Sequence, residues 1–340
     1  MNFAKKKTIF VTGNLGYIGS VLTDSLIKKY KVIGCDIGYF NDCLIAKKNK
    51  RLTKQLFKDI KNINKFDLKN VDAIIHLASL SNDPLGELNK KLTIETNYHS
   101  TVKLAKLAKS LKIKRFIYVS TQSLYGISKS NKFLTEVSKK SPVTTYAKTK
   151  YQAEKKIQPL ADSFFKILIF RPATVFGPSP RFRSDIILNN FVGRAVTTKE
   201  IRIHSDGKPW RPILHIDDMC KILLKSLSIK IDKRINGTAF NMGVKGGNYT
   251  VKNLANLVKK LLPGTKIIFE KNRSKDERTY KVSFKKLYNF FGKKVIDKNH
   301  VNSQIKQLSK YMIKNKFSFK KFSSEKTNRI LKLKKIFNEN

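Results

Sequence analysis

The sequence predicts an α/β protein built on a doubly wound parallel sheet. Three observations carry that expectation. Short β-branched and aromatic runs alternate with amphipathic helical stretches, the first run leads straight into a glycine-rich turn, and the second ends in an acid. Strands that alternate with helices connect through crossovers, and crossovers place helices on both faces of a parallel sheet.

Thr8-Ile9-Phe10-Val11 reads as the first buried strand. TGNLGYIGS follows, with glycines at 13, 16 and 19, and Ile18, Val21, Leu22, Ser25 and Leu26 then recur at helical spacing. Strand, glycine turn and helix start, in that order, form the context of a dinucleotide fingerprint. The missing side chains let backbone N–H groups approach a pyrophosphate, and the helix N-terminus favours its negative charge. The reading is thus of Rossmann type, with Gly13, Gly16, Tyr17, Ile18 and Gly19 as candidate cofactor-binding residues. Residues 31–36 (KVIGCD) read as the second strand, and Asp36 stands at the ~20-residue offset of a ribose-binding carboxylate. An acid there accepts from the ribose hydroxyls and repels a 2′-phosphate, which points to NAD rather than NADP. A weak strand near 55–57 leaves Asp59 and Ile60 either at the adenine or on a surface loop. Residues 72–77 (DAIIHL) and 115–120 (RFIYVS) read as further strands, separated by a helix through about 88–111.

A chain of 340 residues with 41% apolar content suits one or two globular domains. No apolar run approaches the ~20 residues of a membrane span, so no membrane partner is expected. The start, MNFAKKKTIFVTG, mimics a secretory signal, but its apolar run breaks at Gly13-Asn14. It is read as the first strand, and the protein as cytoplasmic. Three cysteines form no CxxC pair and no zinc-like cluster with the five histidines. Reduced thiols and no metal are expected. The net charge of +47 would attract polyanions. The lysines are nevertheless spread along the chain, although residues 300–340 carry eleven basic residues against two acids. Compositional drift accounts for this better than a nucleic-acid site, since no aromatic-basic motif accompanies the charge.

Seven stretches in order resemble the extended short-chain dehydrogenase/reductase superfamily, in its nucleotide-sugar epimerase/dehydratase branch. They are TGNLGYIG, HLAS (76–79), Asn97, VSTQSLYG (119–126), Tyr146-Ala-Lys-Thr-Lys150, RPATVFGPSP (171–180) and RPILHIDD (211–218). The resemblance is to UDP-glucose 4-epimerase-like enzymes. It implies a Rossmann domain over 1–171, with returning segments around 212–245, and a smaller α/β substrate domain mainly over 172–340. It also implies cofactor contacts at Leu77, Ala78, Ser79 and Asn97, and a homodimer paired through the helices that carry Asn97 and Tyr146.

Tyr-x-x-x-Lys occurs three times, at Tyr125, Tyr146 and Tyr151, so spacing alone selects none. Tyr125 follows a strand directly, where residues four apart do not stack. Tyr151 is turned from Tyr146 by ~140° on a helix. Tyr146 and Lys150 follow Pro142-Val143 and a cap candidate, Ser141, and the resemblance makes this copy the catalytic pair, with Thr121. A tyrosine titrates near ~10, so a lysine ammonium on the same helix face and a positive nicotinamide ring are expected to favour its phenolate. Lys150 would also hold the nicotinamide ribose, and Thr121 the reacting sugar hydroxyl.

The dehydratases of this branch carry an Asp-Glu pair after the catalytic Thr, where this chain has Gln122 and Ser123. Neither can serve as a carboxylate, so the resemblance implies C-4 epimerisation of a nucleotide-diphosphate sugar through a 4-keto intermediate, with a ketoreductase or dehydrogenase of the same family as the alternative, and a 4,6-dehydratase or a nucleic-acid-binding protein on this fold behind it. Arg211 matches a phosphate-contacting position, and Arg273-Ser-Lys-Asp276 resembles an Arg-x-Gly-Asp segment, with Lys275 in place of the glycine and Arg278 beyond it. Thr174 replaces a frequent substrate-binding Asn, and Arg181 and Arg183 are further anion-binding candidates. UDP-sugars are the favoured substrate class.

Overall fold

Alternation along the early strands decides the layering of this protein, whose computed structural model describes residues 6–46, 52–128, 132–270, 278–292 and 300–338. Ile9, Val11, Ile75, Ile117 and Phe170 point to one side of a sheet, and Phe10, Ile74, Phe116, Tyr118 and Ile169 to the other. Side chains with a period of two, apolar on both sides, require cover on both faces.

The strands are β1 (Thr8–Thr12), β2 (Lys31–Asp36), β3 (Lys54–Phe57), β4 (Ala73–His76), β5 (Arg115–Val119), β6 (Lys166–Pro172), β7 (Thr174–Phe176), β8 (Glu200–Ile203), β9 (Trp210–His215), β10 (Thr238–Met242), β11 (Asn248–Thr250) and β12 (Lys266–Phe269). The helices are α1 (Tyr17–Leu26), α2 (Asp83–Leu88), α3 (Lys90–Ile94), α4 (Ser100–Ser110), α5 (Thr145–Ile157), α6 (Ile187–Thr197), α7 (Ile216–Ser226), α8 (Val251–Leu261), α9 (Lys285–Phe291), α10 (Val301–Lys314), α11 (Phe319–Ser323) and α12 (Arg329–Asn338).

Among the described residues, seven strands form one sheet in the order β10-β6-β5-β4-β1-β2-β3, and every pairing in it is parallel. Leu22 and Leu26 of α1 with Met219 and Leu223 of α7 cover one face. Leu104 and Ala108 of α4 with Ala153 and Ile157 of α5 cover the other. The chain winds outward from β1 to β3, then returns to β4 on the far side of β1. That reversal opens a crevice above the C-terminal strand ends. The expected doubly wound sheet is therefore the observed one.

Within the segment 212–245, α7 packs on α1, and β10 forms the edge of this sheet beside β6. β9 lies outside this sheet. It sits between β7 and β11 in a three-stranded sheet, while β8 and β12 form a parallel pair. α6, α8 and α10 pack on one another around this smaller region.

Two local readings shift. The helix expected through 88–111 is broken at Asn89, whose side chain accepts from the Leu92 N–H at 2.9 Å and starts α3. A π-turn, Glu95–His99, then joins α3 to α4. The cap of α5 is Thr144, not Ser141: Thr144 Oγ1 accepts from Ala147 N–H at 3.2 Å, whereas the Ser141 N–H is spent on the Leu124 carbonyl.

Candidate active site

The crevice is a cavity of about 830 Å³, running from the β1–α1 turn to the smaller region. Its first wall is the glycine turn. Gly13 adopts φ +71°, and a Cβ there would lie 2.7 Å from the Ala78 nitrogen. A Cβ on Gly19 would lie 2.1 Å from the Gly13 carbonyl oxygen. Backbone meets backbone at both positions, so only glycine fits. Gly16 caps α1 without any side-chain hydrogen bond, which leaves the N–H groups of its first turn open to an anion. This cradle fits a dinucleotide.

Asp36 lies at the end of β2 and lines the same wall. Its oxygens accept from Leu15 N–H (3.1 Å) and Gly38 N–H (2.9 Å). Burial raises its pKa, against those two amides. Asp59 and Ile60 line the cavity too, and Asp59 caps a short 3-10 turn by accepting from Lys61 N–H at 3.0 Å. Tyr17 and Ile18 are lining residues. The Tyr17 hydroxyl is used within the protein, donating to the Gly177 carbonyl at 2.8 Å.

Leu77, Ala78 and Ser79 continue the wall beyond β4. Asn97 does not reach the cavity. It is fully buried in the π-turn, where its Oδ1 accepts from Ser79 Oγ (2.9 Å) and Leu80 N–H (3.0 Å), and its amide donates to the Leu80 carbonyl. Asn97 thus fixes the lining loop rather than lining it. Beneath the loop, His76 bridges Thr12 Oγ1 (2.7 Å) and Thr101 Oγ1 (2.8 Å). Burial, with Lys150 nearby, lowers its pKa to about 3, so this histidine is neutral at physiological pH.

Thr121, Tyr146 and Lys150 meet in the middle of the cavity. Thr121 lies two residues past the end of β5, its hydroxyl accepts from Ser123 N–H at 3.1 Å, and it stands close enough to the Tyr146 side chain to lower that phenol's pKa. Tyr146 stands in the first turn of α5, and a Cβ on Gly86 of α2 would come within 2.9 Å of its Cβ. Burial raises the Tyr146 pKa, opposed by Thr121 and then by Arg183. Lys150 is not among the groups that shift Tyr146 in the protein without its cofactor. Burial lowers Lys150 itself to about 7, opposed by Glu154, so it carries only part of a charge at neutral pH. Its ammonium lies 4.4 Å from the Tyr118 ring centre. Of the other Tyr/Lys copies, Tyr125 bonds Asn241 at 2.7 Å in the core and Tyr151 packs near it, both away from the cavity. Lys129 falls outside the described residues.

Gln122 turns into the sheet, donating to the carbonyls of Arg171 (3.0 Å) and Met242 (3.2 Å). Ser123 lines the cavity. Thr174, Arg183 and Arg211 also line the cavity. Arg183 is clasped by Asp185 (3.0 and 2.5 Å) and donates to Ser81 Oγ at 2.9 Å. Arg211 donates to the Trp210 and Arg278 carbonyls. Arg181 is buried just behind, donating to the Asn41 carbonyl at 2.7 Å. Arg273 and Asp276 fall outside the described residues.

Asp83 is a lining residue that the sequence did not reveal. It pairs with Arg278, accepts from the Thr144 hydroxyl, and lies 3.4 Å from Ser123 Oγ. Asn-Asp-Pro reads locally as a helix start, and only the contact with residues 123, 144 and 278 gives it a place in the site.

A family model described as the NAD dependent epimerase/dehydratase family matches residues 9–243. The chain belongs to that family. NAD is its cofactor accordingly. Among relatives, the uncharacterized UDP-glucose epimerase YtcB of Bacillus subtilis is 33% identical over 225 residues, 63% of this chain and 70% of that protein. A dTDP-D-glucose 4,6-dehydratase of Dictyostelium discoideum is 29% identical over 276 residues, 75% of this chain but only 61% of the relative. Among solved structures, the UDP-glucose 4-epimerase of Thermotoga maritima with UDP-glucose has a TM-score of 0.79 at 24% identity, covering 91% of this chain and 100% of that one. At that identity the likeness establishes the fold. The family therefore spans epimerases and dehydratases, and the choice between them rests on the site.

Proposed function

We propose that this protein is an NAD-dependent nucleotide-diphosphate-sugar 4-epimerase, with UDP-sugars as its substrate class. The observation that carries this reading is a cavity joining the glycine turn to Thr121, Tyr146 and Lys150, in which position 122 turns its amide into the sheet and position 123 has no carboxylate. In this reading Thr121 holds the sugar C-4 hydroxyl, and the phenol oxygen of Tyr146 takes and returns its proton. Lys150 and the glycine turn hold the cofactor, Asp36 its adenosine ribose. Arg211 and Arg183, with Thr174, Arg273 and Asp276, hold the sugar nucleotide. When bound, NAD supplies a hydride acceptor and donor and a positive ring beside the phenol.

One observation favours a 4,6-dehydratase as the second reading. The Asp83 carboxylate stands beside Ser123, where the dehydratases of this branch carry an acid. Asp83 is already engaged by Arg278 and Thr144, which compete with a substrate for its oxygens. Anaerobic incubation with a panel of UDP-hexoses separates the readings. Interconversion of C-4 epimers without added cofactor is expected. Formation of only a 4-keto-6-deoxy sugar, or strict dependence on added NADPH, would refute the epimerase. The homodimer and the absence of a nucleic-acid partner belong to the same proposal. Light scattering checks the first, and the absorbance of the purified protein the second.

A further inference from the structure

The family model ends at residue 243, yet the chain continues, and its last helix crosses back to the cofactor end of the cavity. Leu333 of α12 is fully buried against Leu80 and Leu85, in a cluster that includes Tyr39 and Phe40. Phe337 meets the Tyr39 ring edge-on, with centroids 6.3 Å apart. The Arg329 guanidinium lies 4.6 Å from the Phe40 ring centre and donates to the carbonyls of Arg181 (3.0 Å) and Lys326 (3.2 Å). Lys332 Nζ donates to Asp42 at 2.6 Å.

Tyr39 and Phe40 follow Asp36 in a loop, and residues 37–46 contain neither helix nor strand. With no ladder to fix it, such a loop takes its position from what it packs against. Here it packs against α12, and Arg181 holds it as well by donating to the Phe40 and Asn41 carbonyls. Arg329 and Ile330 line the cavity beside Ile37, Tyr39 and Phe40. The charge of Arg329 is spent on carbonyls and a ring face, which makes it a positioning residue.

We propose that α12 is a working part of the dinucleotide site: Arg329, with Leu333 and Phe337 behind it, positions Tyr39 and Phe40 and so sets how tightly the adenosine end of the cofactor is held. The inference rests on Asp36 marking that end and is independent of the reaction catalysed. Two of the eleven basic residues of segment 300–340, Arg329 and Lys332, take part in this contact.

The test is calorimetric titration of cofactor-stripped full-length protein with NAD and with ADP-ribose, which keeps all of the dinucleotide except the nicotinamide ring. Leu333→Asp should weaken both ligands at least ~10-fold, and Phe337→Ala both by about 3-fold, as expected for partial loss of a packed loop contact. Phe337 is partly exposed, so its variant should keep the parent's denaturation midpoint. Should Leu333→Asp fail to fold, the Phe337→Ala ratios decide. The proposal is overturned if the folded variants bind both ligands as tightly as the parent. It is equally overturned if NAD weakens while ADP-ribose does not, which would locate the effect at the nicotinamide end.

Discussion

Replacing Lys150 by Met should make the protein more stable and inactive at once. A pKa held at about 7, where a free lysine has 10.5, means that burial disfavours the ammonium relative to the neutral amine by about 5 kcal/mol. Methionine fills a similar volume with no charge to bury. Its gain is reduced by the lost contact with the Tyr118 ring, worth ~1–2 kcal/mol at a desolvated site. A net stabilisation of about 3 kcal/mol at pH 7 remains. The sign of the pH dependence follows from proton counts. Between pH 7 and 10.5 the folded parent binds fewer protons at this site than its unfolded chain, so the parent gains stability as pH rises through that window. The advantage of the variant is therefore greatest at and below pH 7 and fades toward pH 10.5. Urea unfolding of both cofactor-stripped proteins at several pH values between ~6 and ~10 measures the difference, and the titration of the other lysines cancels in it. A Lys150→Met protein no more stable than its parent at pH 7, or a difference that does not change with pH, would refute the reasoning.

Three other outcomes are expected. Tyr146→Phe should lower turnover by about 10²–10⁴-fold while leaving the content of NAD in the purified protein unchanged, checked by steady-state kinetics and by absorbance of an acid extract. Gly19→Ala forces a methyl group against the Gly13 carbonyl and the Asn14 Cα, so NAD affinity should fall at least ~10-fold in a calorimetric titration, with a lowered unfolding midpoint. Glu154→Gln breaks a buried pair in which Glu154 accepts from Arg171 at 2.6, 3.1 and 3.1 Å. It should cost about 3–5 kcal/mol by denaturant unfolding, because the Arg171 charge stays buried.

Local patterns made the main sheet and its glycine turn legible. Each early strand is a short apolar run beside a turn, and Gly13 and Gly19 sit where backbone crowding forbids any side chain. The meeting of Thr121 with Tyr146 was legible through the resemblance, since their separation in sequence carries no physical signal of contact. Three features were out of reach for a common reason. Asp83 joins the site through partners at 123, 144 and 278, Asn97 turns from the cavity to hold Leu80, and Arg329 reaches Phe40 from the other end of the chain. Such pairings are decided by packing between distant segments, which periodicity does not encode. Ser141 and Thr144 show the same limit on a small scale. Both are competent caps by type, and only Thr144 stands directly before the first residue of α5, where its hydroxyl reaches the Ala147 N–H.

The outermost strand beside β6 is β10, which begins at Thr238, long after β6 ends at Pro172. A ribosome releasing this chain exposes an apolar strand with one flank unpaired until the later segment emerges, and an open flank of that kind invites pairing with other chains. Cutting the gene between the two halves would make that exposure permanent. Neither half is a module that can be borrowed alone, and a shuffled or truncated version must carry Thr238–Met242 with it to remain in solution.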